Sequence, residues 1–206
     1  MKIIGLIGKT SSGKDTIARY LYKKYCIESI ISYTTRQMRE SEVDGREHWF
    51  VDDEKMDEVL SDKTKILAFM ENPDTGRRYC ASVYGLKDDR VYSYIINPIA
   101  WERMVAEHPE IEFIGIYCDL AESKIRNRAI LRGDSLKAIK DRLDDEREEF
   151  DSFKEKKFGE KKIADKNDAN EFPKLYLIST SASRDVVEEK VDRILGKFND
   201  GWLNWR

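Results

Sequence analysis

The chain has 206 residues, 40% of them hydrophobic and 37% charged, with a net charge of −3. That length fits one domain with small lobes attached, and the composition excludes a disordered chain and general adsorption to nucleic acid. Cys26, Cys80 and Cys118 are odd in number, widely spaced and outside any metal-ligand cluster, so they read as reduced thiols of a cytoplasmic protein; no signal peptide or membrane-length apolar run is visible.

Lys2–Ile7 (KIIGLI) predicts a strand, and 16–25 a helix. Residues 27–32 (IESIIS) predict a second strand. The polar run 33–45 ends in a turn signal at Asp44-Gly45. Residues 48–51 (HWFV) form a short strand, and Asp52 caps a helix that runs through residue 60. Residues 66–70 and 79–84 pair as a hairpin across the turn-rich 71–78. Residues 91–96 (VYSYII) predict a buried strand ended by Asn97-Pro98, with a helix over 99–107. A further strand is expected over 111–117 (IEFIGIY), then helices over 120–131 and 135–150 separated by Arg132-Gly133-Asp134. The charged stretch 154–171 reads as a mobile connection without a core face. A last strand covers 175–178, a last helix 186–198, and a tail with Trp202 and Trp205 either packs back on the body, the reading preferred, or meets another subunit.

Strands alternating with helices predict an α/β domain with a largely parallel sheet flanked by helices, its ligands at the C-terminal strand ends. The first loop carries the strongest chemical signal. Gly8, Thr10, Ser11, Ser12, Gly13, Lys14, Asp15 and Thr16 belong to GKTSSGKDT, between a strand and a helix. That is the setting of a phosphate-binding P-loop of ATP-using enzymes. Loop amides and the helix dipole favour an anion, the glycines permit close approach, and Lys14 adds an ammonium beside the β- and γ-phosphates. The usual pattern ends G-K-[S/T]; here Asp15 takes the last place and Thr16 follows. Asp15 and Thr16 are therefore the candidate ligands of Mg²⁺, a hard cation that takes oxygen donors. The alternative is an ordinary glycine-bearing turn.

Arg36 and Arg39 form a second candidate anion site, with Glu42 able to hold an arginine in place. Composition alone favours a solvated polar loop. The run SYTTRQMRESEVDGREHWFV, following the P-loop, resembles the nucleotide-monophosphate-binding segment of guanylate kinase. Ser32, Thr34, Thr35, Arg36, Arg39, Glu42, Gly45 and Phe50 stand in matching places.

The resemblance implies a P-loop nucleoside monophosphate kinase. Its core would be 1–32, 85–125 and 172–198, its small β-rich acceptor lobe 33–84, its helical lid 126–150 and its charged connection 151–171. Arg36 and Arg39 would bind the GMP phosphate, Glu42 would orient them and Ser32 would contact guanine. His48 replaces the family's phosphate-binding tyrosine. Tyr79 resembles another phosphate contact and Glu71 the guanine-reading glutamate, although both also suit a plain hairpin. Arg132 and Arg142 match lid arginines that approach the transferring phosphoryl group, with Arg128 a third candidate.

Asn97 and Ile99 occupy places where the family carries acids, and Ala81 lacks an expected hydroxyl. The expected reaction is Mg²⁺- and ATP-dependent conversion of GMP or dGMP to the diphosphate. Alternatives are another small-molecule kinase, acting on a different deoxynucleoside monophosphate or on ribose 1,5-bisphosphate, and a non-catalytic guanylate-kinase-like binding module.

Overall fold

The computed structural model describes residues 1–40, 42–73, 75–159 and 174–198. The first strand, β1 (Lys2–Ile7), is flanked by apolar residues on both faces: Ile3, Ile4, Leu6 and Ile7 are fully buried. A strand covered on both sides reads as a continuous apolar run, which is why KIIGLI suits the centre of a parallel sheet. Helix α1 (Lys14–Tyr25) follows, then the short strands β2 (Glu28–Ser29), β3 (Tyr33–Thr34) and β4 (Trp49–Phe50).

Helix α2 (Asp53–Ser61) begins where the sequence requires, because the Asp52 carboxylate accepts from the Lys55 amide at 2.8 Å. β5 (Ile66–Glu71) and β6 (Arg78–Ser82) form the expected antiparallel hairpin, followed by β7 (Val91–Ile95). Helix α3 (Pro98–Glu107) is capped by the Asn97 side chain, and β8 (Glu112–Asp119) leads to helices α4 (Glu122–Leu131) and α5 (Leu136–Phe158). β9 (Lys174–Ser179) and α6 (Arg184–Gly196) complete the described elements.

The principal sheet has five parallel strands in the order β2-β7-β1-β8-β9. The side chains of β1 alternate between two cores. Ile4 and Leu6 join Ile17 and Leu21 of α1 and Val191 and Leu195 of α6. Ile3 and Ile7 join Trp101 and Met104 of α3 and Phe150 and Phe153 of α5. A second sheet, β4-β3-β6-β5, stands beside α3, with Leu67, Ala68 and Ala81 in the same core as Trp101.

Two expectations change. The strand predicted over 27–32 shortens to Glu28–Ser29, at the edge of the sheet, because the chain leaves after Ile30 to enter the second sheet at Tyr33. Helix α5 runs to Phe158, eight residues beyond the predicted 150. It continues because it does have a core face at its far end: Phe150 and Phe153 are buried, and Tyr117 meets the Phe153 and Phe158 rings at 6.1 and 5.9 Å. Gly159, at φ +47°, then caps it. The rest of the charged stretch, and the tail with Trp202 and Trp205, lie outside the described residues. Among those described, no helix is long and apolar enough to cross a membrane.

Gly5 and Gly115 face each other in the β1–β8 register, and the Trp101 indole lies over both. A Cβ on Gly5 would enter the Trp101 ring. Overpacking at such a site costs about 1–3 kcal/mol. Gly5→Val is therefore expected to lower unfolding stability by about that amount in urea titration; an unchanged midpoint would contradict the packing.

Candidate active site

The loop after β1 is shaped by its two glycines. Gly8 has φ +151°, and a Cβ there would lie 2.7 Å from the Cys118 carbonyl and from Ser12 Oγ. Gly13, at φ +101°, starts α1, and Ser11 holds a left-handed φ of +53°. These conformations are ones that side chains disfavour, and successive amides in a turn of this kind can form an anion-binding concavity. Ser11 Oγ and Ser12 Oγ are buried without a hydrogen-bond partner. Lys14 Nζ donates to the carbonyls of Gly8 at 2.6 Å and Lys9 at 2.9 Å, so its ammonium sits over the loop.

Two cavities adjoin this loop. One, of about 290 Å³, is lined by Ser11, Gly13, Asp15, Thr16, Arg128 and Arg132, with Thr180 and Ala182 from beyond β9. The Thr180 hydroxyl donates to the Ser12 carbonyl at 2.7 Å, and Arg128 donates to the Thr180 carbonyl at 2.6 Å. Arg128 thus anchors α4 to this wall. Asp15 and Thr16 bring one carboxylate and one hydroxyl on the first turn of α1. That small donor set suits a Mg²⁺ ion that takes its other ligands from phosphates and water. Among the described residues there is no cluster of three or more His, Cys, Asp or Glu able to hold a metal by itself.

The other cavity, of about 270 Å³, joins Thr10 of the same loop to Arg36, Arg39, Tyr79, Arg142 and Glu146. Its remaining wall is Asn72, Thr75 and Arg77 from the β5–β6 connection, and Asp145. Arg36 is 7% exposed and meets Glu42 through two 2.9 Å bonds. Glu42 also accepts from the Arg39 amide at 2.8 Å and the Arg39 guanidinium at 3.4 Å. Burial pushes the Glu42 carboxyl up, but the Arg36 bonds, the Arg39 amide and both charges outweigh it and hold the group below its ordinary value. Arg39 is pulled below its ordinary value by burial and by the Arg36 and Arg142 charges. Like charges gathered this way favour an arriving anion.

Other sequence-predicted residues do not line this cavity. Ser32 is buried, with its hydroxyl 2.9 Å from His48 Nδ1. His48 packs edge-on against Phe50 and Tyr79. Glu71 lies at the exposed end of β5, outside the cavity wall, and its neighbour Asn72 is the residue that lines it. Asn97 is occupied in capping α3 and touches Met70 Sδ at 3.2 Å. Ile99 is exposed.

The turn between α4 and α5 links the two cavities. Asp134 accepts from Arg132, which faces the first cavity, and from Arg142 at 3.3 Å, which faces the second. Sequence reading passed over Asp134 and Glu146. For Glu146 a signal existed: it follows Arg142 by four residues, and so shares its helix face.

Burial and the neighbouring Arg36 and Arg39 charges hold the His48 imidazole below its usual 6.5, against the opposing pull of Glu42. A depressed folded-state value means that the stability linked to this site is present above pH 6.5 and is lost as pH falls through the folded value. An NMR titration of His48 is expected to give a midpoint below 6.5; a midpoint above it would contradict this environment.

A sequence model of the guanylate kinase family matches residues 1–88. A guanylate kinase of Rhodopseudomonas palustris is 41% identical over 56 residues, which are 27% of this chain and 26% of that protein. The match therefore spans about a quarter of that relative's length. The crystal structure of guanylate kinase from Anaplasma phagocytophilum has a TM-score of 0.58 at 18% identity, covering 97% of this chain and 86% of that one. The likeness to that structure is one of fold.

Proposed function

We propose, from a chain that its first 88 residues and its fold group with the guanylate kinase family, that this protein transfers the γ-phosphoryl group of ATP to a nucleoside monophosphate, GMP or dGMP first among them. The observation that carries the reading is the pair of cavities. One opens on the loop after β1, the other on Arg36, Arg39 and Tyr79, and both lie against that loop. Two phosphate-bearing reactants seated there would meet at Thr10 and Lys14.

Phosphoryl transfer asks for alignment and charge neutralisation, with little covalent work for the protein. In this reading the loop amides and Lys14 hold the donor phosphates. Arg36, Arg39 and Tyr79 hold the acceptor phosphate, with Glu42 fixing the arginines in place. Arg132 and Arg142, tied through Asp134, bring positive charge from both cavities to the oxygens of the moving group. Asp15 and Thr16 would hold Mg²⁺, which neutralises phosphate charge when bound. In this assignment residues 33–84 form the acceptor lobe and 126–150 the lid, whose closure excludes water.

Glu71 outside the wall, and Asn72, Thr75 and Arg77 within it, give the acceptor end a different lining from the one expected. The discriminating assay measures ATP consumption with GMP, dGMP, AMP, CMP, UMP and ribose 1,5-bisphosphate. GMP- or dGMP-dependent ADP formation is expected. Preference for another acceptor would move the reading to a related kinase, and activity with none would remove it. Lys14→Ala is expected to lower turnover by about a hundredfold or more while the circular dichroism spectrum is retained; near-normal turnover would remove Lys14 from its role.

A further inference from the structure

The face that α5 turns toward the cleft carries Arg142, Glu146 and Glu149, and two of its carboxylates end on distant backbone amides. Glu149 accepts from the Ile99 amide at 3.1 Å, in the first turn of α3. This satisfies an amide that has no partner within its own helix, a structural duty. Glu146 accepts from the Thr10 amide at 2.7 Å, inside the loop after β1. That contact is of another kind. Amides in such a loop are suited to phosphate oxygens, and an ionised carboxylate is the side chain that imitates one best.

The surroundings of Glu146 are those of a phosphate site. Its side chain shares a cavity wall with Arg36, Arg39 and Arg142. Burial holds its carboxyl above the ordinary value, only partly offset by the Thr10 amide and the Lys14, Arg142 and Lys9 charges, which favour the ionised form. Lys9, next to Thr10, is itself held to α5 by a 2.7 Å ion pair with Asp151. The helix therefore grips the loop at two adjacent residues.

We propose that the Glu146 carboxylate is an internal occupant of the place through which the phosphoryl group passes, so that donor phosphates bind by displacing it from Thr10. What displaces it rests on the kinase reading; the contact itself does not. A phosphate oxygen and a carboxylate cannot share one amide, and their like charges repel at that range. Seating the triphosphate then expels Glu146 and releases one of the two holds of α5 on the loop, leaving the Lys9–Asp151 ion pair as the other. Arg142, one turn earlier on the same helix, moves with it. The contact lowers donor affinity and links donor arrival to movement of the helix that carries the arginine.

The test is equilibrium binding of inorganic triphosphate to the whole chain, with and without Mg²⁺. It compares the wild type with Glu146→Gln and Glu146→Ala, each confirmed folded by circular dichroism. Removing a charge-assisted competitor is expected to tighten triphosphate binding about tenfold in both variants, in either buffer. Equal affinity in all three proteins would overturn the proposal and leave the kinase reading standing. Weaker binding by the variants only when Mg²⁺ is present would make Glu146 a metal ligand, and would also overturn it. Binding by none of the three would remove the kinase reading and the proposal together.

Discussion

Two anions do not share a small cavity unless cations stand between them, and in the proposed reading that constraint accounts for the gathering of arginines around this cleft. The loop after β1 supplies amides and the Lys14 ammonium. The connection between β3 and β4 supplies Arg36 and Arg39, the end of α4 supplies Arg132, and α5 supplies Arg142. Such a collection repels itself: burial first, and then the Arg36 and Arg142 charges, hold Arg39 below its ordinary value. Carboxylates hold it together: Glu42 spans Arg36 and Arg39, and Asp134 spans Arg132 and Arg142. Glu146 is the carboxylate that faces the loop itself.

What could be read from the residues alone followed how local each signal was. β1, its loop and α1 are contiguous, so apolar run, glycine spacing and lysine declare one another. The Asp52 cap and the β5–β6 hairpin are likewise matters of a few residues. Helix α5 was underestimated because charged residues dominate its second half. Its buried side, marked by Phe150, Phe153 and Phe158, becomes apparent only against Tyr117 of β8. The Glu146–Thr10 bond joins residues 136 positions apart, and no local pattern announces a contact of that kind.

The departures from the guanylate kinase pattern have physical content. Asn97, standing where the family has an acid, is engaged as the cap of α3, accepting from the Ala100 amide at 2.8 Å. The expected guanine-reading position, Glu71, is displaced from the cavity by the tight turn that places Asn72 there. His48, in the place of a tyrosine, spends Nδ1 on Ser32. Arg36, Arg39 and Tyr79 thus line the second cavity as expected, whereas Glu71 and His48 do not.

In the proposed reading the two cavities meet at one reaction point. That reading is tested most directly by calorimetric binding of a bisubstrate compound in which adenosine and guanosine are joined through five phosphates. The account predicts one molecule bound per chain, with affinity at least about a hundredfold above that of ATP alone, because the second half binds as an intramolecular event. Binding no tighter than ATP, or two molecules per chain, would contradict it.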